Sequence, residues 1–154
     1  MASRSRSRRS AAPGTAPAAA DGASPCPCGL PAAYADCCGR FHAGGADPAT
    51  AELLMRSRYS AFAVRDTSYL LRTWAAATRP ARLDLDPAAR WTGLEILETT
   101  GGTAFHTSGT VTFRARCVRG PGAGRGGGVE VQHECSRFVR EQGRWVYVDG
   151  DVDA

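Results

Sequence analysis

Cys26, Cys28, Cys37 and Cys38 fall within thirteen residues, in the string CPCGLPAAYADCCG, and no other feature restricts what this chain can fold into as tightly. Two unstrained disulfides are awkward to build from a one-residue gap and an adjacent pair, because each bridge needs a narrow Cα and Cβ geometry. One tetrahedral ion served by four thiolates at about 2.3 Å asks only that the chain double back on itself. Pro27, Gly29 and Pro31 suit that reversal, since they fix or free φ where the backbone must turn. The pattern therefore reads as one structural Zn²⁺ on Cys26, Cys28, Cys37 and Cys38, with disulfide or thiol-exchange chemistry as the alternative. A four-thiolate site has no open coordination position, so such a metal builds a surface rather than running a reaction.

Charge is informative only once it is localised. Residues 1–24 hold Arg4, Arg6, Arg8 and Arg9 against Asp21 alone, which is +3 of the chain's net +4. The remainder is close to neutral and lacks the basic footprint that nucleic acid requires. All 19 basic residues are Arg, a bias expected of GC-rich coding, so their number is not evidence for phosphate binding. Arg8–Arg9 raises the question of export, but AAPGTAPAAADGAS has no Leu, Ile, Val or Phe to make a signal core. The expectation is a cytoplasmic protein with no membrane span, where clustered cysteines favour metal over disulfide. The Arg/Ser and Ala/Pro tail, residues 1–24, cannot bury enough surface to repay ordering and is expected to be disordered, a basic arm on RNA being the competing reading.

Residues 25–42 form the cysteine knuckle, and AGGADP then reads as a linker that would let the knuckle unfold by itself. Asp47 is a candidate N-cap with Pro48 in the first turn of a helix over about 49–65. Leu54, Arg58, Ala61 and Phe62 recur in it at helical spacing. Asp66 and Thr67 can cap a second helix, SYLLRTWAAA, carrying Leu70, Leu71 and Trp74. The period then changes to two. Strands are expected over 91–99, 109–119, 129–141 and 144–151, with Val111, Phe113, Ala115 and Cys117 on one face and GPGAGRGGG as a hairpin loop. The fold class is α+β: a knuckle, then helices packed on a curved antiparallel sheet of about four strands.

This order of parts resembles the YchJ family. The likeness rests on CPCG and CCG over 26–39, LMRSRYSAF over 54–62, YLLRTW over 69–74, H-E-x-S-R-F over 133–138 and YVDG over 147–150. The resemblance implies an N-terminal SEC-C zinc motif over 25–42 and a domain like nuclear transport factor 2 over 48–154, a cone of sheet wrapped on helices. Leu30, Pro31, Ala32 and Ala33 stand where many SEC-C motifs carry a basic run, so a contact through that run is not expected here.

Such cones enclose a pocket, and the candidates to line it are Arg58, Tyr59, Trp74, His133, Glu134, Arg137 and Tyr147, with Asp149 nearby. Val129, Val131, His133 and Cys135 share one strand face, so His133 reads either as a general base oriented by Asp149 or as a core histidine satisfied by a carboxylate. Arg58 within an apolar stripe pairs with Glu134 or Asp149, or recognises an anionic ligand. Cys117 and Cys135 sit on neighbouring strands and read as two buried thiols, a cross-strand contact being the alternative. The sequence reading is a non-catalytic adaptor whose knuckle docks a protein partner. The alternatives are a small pocket enzyme using His133 and Asp149, and a nucleic-acid-associated protein.

Overall fold

The computed structural model describes residues 21–120 and 128–153. Most of the expected disordered tail and the centre of the glycine-rich loop lie outside the described residues. After a 3₁₀ turn at Tyr34–Asp36 come α1 (Cys38–His42), α2 (Ala51–Val64) and α3 (Thr67–Arg72). Then follow β1 (Ala89–Gly101), β2 (Ser108–Arg119), β3 (Gly128–Glu141) and β4 (Arg144–Asp153). The strands pair antiparallel in the order β1-β2-β3-β4, an open meander, so the fold is α+β.

Thr50 caps α2, its Oγ1 accepting from Leu53 N at 3.1 Å. Asp47, the expected cap, lies outside the helix and pairs with Arg144 at 3.5 Å. Asp66 does cap α3, accepting from Tyr69 N at 3.0 Å. Helix α2 buries Leu54, Met55, Arg58 and Tyr59 and packs against β1, β2 and β4 together. Both edge strands reach one helix because the ladders carry register shifts at Trp91/Gly93, Ile96/Glu98 and Arg137/Phe138, and such bulges bend the strands that hold them.

Helix α3 stops at Arg72, short of the expected Ala77. Residues 73–75 instead run beside the edge of the sheet. Tyr147 N donates to Thr73 O at 2.8 Å, and Ala75 N donates to Tyr147 O at 2.7 Å. The unpaired groups of an edge strand compete for backbone that would otherwise continue the helix. Trp74 therefore sits on this strip rather than on a helix.

Strand β2 faces as expected, with Val111, Phe113, Ala115 and Cys117 no more than 5% exposed. Strand β3 does not. Opposite residues of an antiparallel ladder share a face. The register Val111↔Ser136, Phe113↔Glu134 and Ala115↔Gln132 therefore turns the polar row of β3 inward. The row Val129, Val131, His133 and Cys135 faces out, Val129 being 67% and Val131 50% exposed. Cys117 lies opposite Glu130 and Cys135 opposite Thr112, on different faces, so no contact joins them. The main core runs continuously from the four knuckle cysteines through Leu54, Met55 and Tyr59 to Phe113, Phe138 and Trp145.

Candidate metal centre and cone pocket

The knuckle closes through backbone bonds from Cys26 N to Ala32 O at 3.0 Å and from Gly29 N to Cys26 O at 3.2 Å. Residues 21–24, expected in the tail, join it: Tyr34 N donates to Ser24 O at 2.8 Å and Ala35 N to Gly22 O at 3.1 Å. Gly39 follows the cysteine pair because a Cβ there would lie 2.6 Å from the Tyr34 carbonyl oxygen. The sulfurs of Cys26, Cys28, Cys37 and Cys38 all lie within 4.8 Å of one another, and each cysteine is 7% exposed or less.

That donor set fits a tetrahedral soft cation. Four sulfurs about 2.3 Å from one ion stand roughly 3.8 Å apart, and Cys28 Sγ lies 3.7 Å from Cys37 Sγ. All four are free thiols rather than disulfides. Their mutual packing splits their acidities. Hydrogen bonds from Cys28 and Cys38 hold the Cys26 thiol far below its ordinary value. Burial pushes Cys37 up to about 12, and the hydrogen bond to Cys26 raises Cys38 further. Cys37 and Cys38 therefore ionise readily only with a cation to compensate them. The site would hold the metal entirely on protein sulfur.

Several contacts fasten the knuckle to the helices. Cys26 Sγ lies 3.6 Å from Ser60 Oγ, and Arg56 Nη1 donates to Cys28 O at 2.9 Å. His42 is the strut: Nε2 donates to Ser57 O at 2.8 Å, which leaves Nδ1 to accept from Tyr34 OH at 2.6 Å. Burial lowers the His42 imidazole from its ordinary value. Sequence reasoning gave His42 no role, because its partners lie 8 and 15 residues away and no spacing rule connects them.

The cone holds a cavity of about 240 Å³ between α2, the 73–75 strip and the inward face of the sheet. Of the expected residues it brings together Arg58, Tyr59, Trp74, Glu134 and Tyr147. Arg58 is 4% exposed, and its Nη1 donates to Leu70 O at 2.7 Å and Thr73 Oγ1 at 2.8 Å. The guanidinium carbon lies 4.6 Å from the centroid of Tyr147 and 5.1 Å from that of Trp74, within cation–π range. Burial brings the guanidinium down to about 10, which leaves it charged at neutral pH. Glu134 accepts from Gln132 Nε2 at 2.8 Å, Ser136 Oγ at 3.0 Å and Tyr147 OH at 3.1 Å. Burial, and then the Glu134 charge, raise the Tyr147 phenol. Arg58 makes no ion pair with Glu134 or Asp149 among the described residues.

His133, Arg137 and Asp149 lie on the opposite face. Asp149 pairs with Arg137 at 2.5 Å, and Arg137 also reaches Asp151 at 2.7 Å, holding that carboxyl below its ordinary value. His133 Nδ1 meets Asp153 Oδ2 at 2.8 Å, so the expected His133–Asp149 pair does not form and neither residue lines the cavity. His133 and Glu134 are neighbours on one strand and cannot both face one pocket. Gln132 and Ser136 were missed, although once Glu134 is inward the same period of two requires them. A larger cleft of about 480 Å³ lies beside the linker. Its Arg72, Arg79 and Glu141 are committed to backbone partners.

The family follows from comparison with known proteins. The model described as "YchJ, middle NTF2-like domain" matches residues 50–150. The chain belongs to the YchJ family. It is 62% identical over 127 residues to a UPF0225 protein of Streptomyces coelicolor, covering 82% of this chain and 94% of that one. A UPF0225 protein of Corynebacterium glutamicum is 49% identical over 128 residues, covering 83% of this chain and 97% of that one. Among solved structures, a SEC-C motif containing protein from Rhodopseudomonas palustris superposes with a TM-score of 0.70 at 32% identity, covering 85% of this chain and 100% of that one. A sec-c motif containing protein from Psychrobacter arcticus gives 0.66 at 26% identity, covering 86% and 85%. The YchJ-type chain thus joins a SEC-C cysteine cluster suited to a metal to an NTF2-like domain. No helix among the described residues is long and apolar enough to cross a membrane.

Proposed function

We propose that the chain is a zinc-stapled, non-catalytic binding protein of the cytoplasm, and that the outer loop of the knuckle docks a protein partner. The observation that carries this reading is how the knuckle divides its residues. All four cysteines turn inward to a closed donor set, while Gly29, Pro31, Ala32 and Ala35 turn outward, with Asp36 the only charge between Cys28 and Cys37. A metal on the inner side would hold that sparsely charged loop in one conformation, and a preorganised surface loses less entropy on binding. The test has two readouts. Elemental analysis of protein purified under reducing conditions is expected to return one zinc per chain. Pull-down read by mass spectrometry is then run with wild type and with Ala32→Arg, which leaves the sulfurs alone. Loss of a specific partner with zinc retained supports docking through the loop. An unchanged partner set with zinc retained overturns it.

A further inference from the structure

We propose that the cone pocket is a binding site for a small aromatic monocarboxylate, held by the edge of the Arg58 guanidinium that the protein leaves unused. This goes beyond the docking reading and does not depend on it, since the knuckle loop and the pocket share no residue.

Arg58 carries five N–H donors in a fixed fork. Leu70 O and Thr73 Oγ1 both take Nη1, at 2.7 and 2.8 Å. No described residue accepts from Nε or Nη2. Those two atoms carry the parallel N–H pair that matches the two oxygens of one carboxylate. The rings of Trp74 and Tyr147, 5.1 Å apart centroid to centroid, pack together on one side of the guanidinium, and the unused Nε and Nη2 edge is where paired donors remain for an anion. No carboxylate lies within ion-pair distance of this buried cation among the described residues; Glu134 shares the cavity and acts on it only at longer range, so the guanidinium has no direct anionic partner. Trp74 Nε1, on the same wall, is the one buried side-chain polar atom among the described residues with no hydrogen-bond partner.

The remaining walls select the body and charge of the ligand. Tyr59, Phe62, Trp91 and Phe113 make the cavity aromatic, and its 240 Å³ is the liquid volume of about eight waters, room for one ring and its carboxylate. Glu134 on the sheet wall is pinned by Gln132, Ser136 and Tyr147. Its negative charge disfavours a second charge on the ligand, so a dianion such as phosphate fits poorly.

The test titrates the zinc-loaded full chain with benzoate, 4-hydroxybenzoate and indole-3-carboxylate, against benzamide and inorganic phosphate. Binding is read by fluorescence, since Trp74 and Trp91 both line the cavity, and confirmed by calorimetry. At least one carboxylate is expected to saturate below about 1 mM, with the amide about tenfold weaker or worse and phosphate silent. Arg58→Lys keeps the charge but loses the fork, and is expected to weaken binding about tenfold or more. Because Arg58 also holds Leu70 and Thr73, a second variant is needed. Ala115→Leu fills the cavity without touching Arg58, and is expected to block the carboxylate while zinc content is unchanged. No binding by any of the three carboxylates overturns the proposal. So does amide binding as tight as carboxylate, or full carboxylate binding in Ala115→Leu.

Discussion

The knuckle and the inner wall of β3 both bury polar side chains, but they differ in where the compensation comes from. In the knuckle, four thiols crowd within 4.8 Å, and burial and the neighbouring sulfurs raise Cys37 and Cys38, so the donor set suits a cation from outside the chain. On β3, Glu134 is answered from within, by Ser136, Tyr147 and Gln132. Under the proposed zinc site the first arrangement depends on a bound ion, whereas the second stands by itself. The knuckle's groups are also local, all between residues 26 and 38, whereas the pocket is gathered from α2, the 73–75 strip and all four strands.

The largest expected effect follows from that dependence. The linker AGGADP suggests a knuckle that unfolds alone, yet its cysteines share one core with Leu54, Met55 and Tyr59. Cys28→Ser is therefore expected to lose the metal and to cost more than about 4 kcal/mol, in the range where loss of a structural metal stands out. Chelation of wild type is expected to lower one cooperative transition followed by far-UV circular dichroism. A knuckle-only loss, with the remaining signal melting at its original midpoint, would break the comparison and restore an insulated module.

Next in size is the self-satisfied wall. Gly150 lies beside Glu134, and a Cβ there would stand 2.0 Å from Glu134 Oε1. Gly150→Ala must push the carboxylate off Ser136 and Tyr147, at a cost of about 1–3 kcal/mol. In a Glu134→Ala background the same change is expected to cost far less, since no carboxylate remains to displace. Denaturant melts of the four proteins give the coupling directly. Equal costs in both backgrounds would mean that Glu134 is not what Gly150 makes room for.

These two tests also mark how far the residues themselves could be read. The four-cysteine spacing, the two helices, the four strands and the inward row of β2 were all legible, because each rests on neighbours along the chain. The facing of β3 was not. Val129 and Val131 alternate as a buried row should, but the β2 register sets the face, and it turns Gln132, Glu134 and Ser136 inward. Arg58, Tyr59 and Trp74 could be named as pocket candidates because the family resemblance implied a cone that encloses a pocket. The polar partners of Arg58, 12 and 15 residues away, could not.

A smaller, pH-dependent effect sits at the joint between the two regions. His42 is lowered chiefly by burial, against the opposing hydrogen bond to Ser57 O, the charges of Asp66 and Cys26, and with help from Arg72. Tyr34 and Tyr69 pack on its ring. With a folded value below the unfolded one of about 6.5, the unfolded chain binds more protons between the two. The contribution is thus present above about pH 6.5 and lost as pH falls below it. His42→Gln is expected to flatten the slope of stability between about pH 7.5 and 5.5. Zinc content is measured at each pH, so that metal loss is not mistaken for the imidazole. An unchanged slope would remove His42 as the strut between knuckle and helix.

The smallest expected effect is at His133, and it sharpens the contrast between the two faces of β3. If His133 were a satisfied core residue, truncation would leave a cavity and an orphaned partner, costing about 1–3 kcal/mol. Its side chain instead keeps 33% of its surface exposed and meets Asp153, itself 75% exposed. Exposed pairs of this kind contribute little, because water screens them and ordering two side chains costs entropy. His133→Ala is therefore expected to shift stability by less than about 0.5 kcal/mol. A small value no longer argues for a catalytic imidazole, since the residue faces away from the cavity. The discriminating measurement is the same variant titrated with the pocket probes. Unchanged probe affinity fits an outward histidine. A weakened affinity, with stability intact, would place His133 in contact with the ligand and overturn the facing assigned to β3.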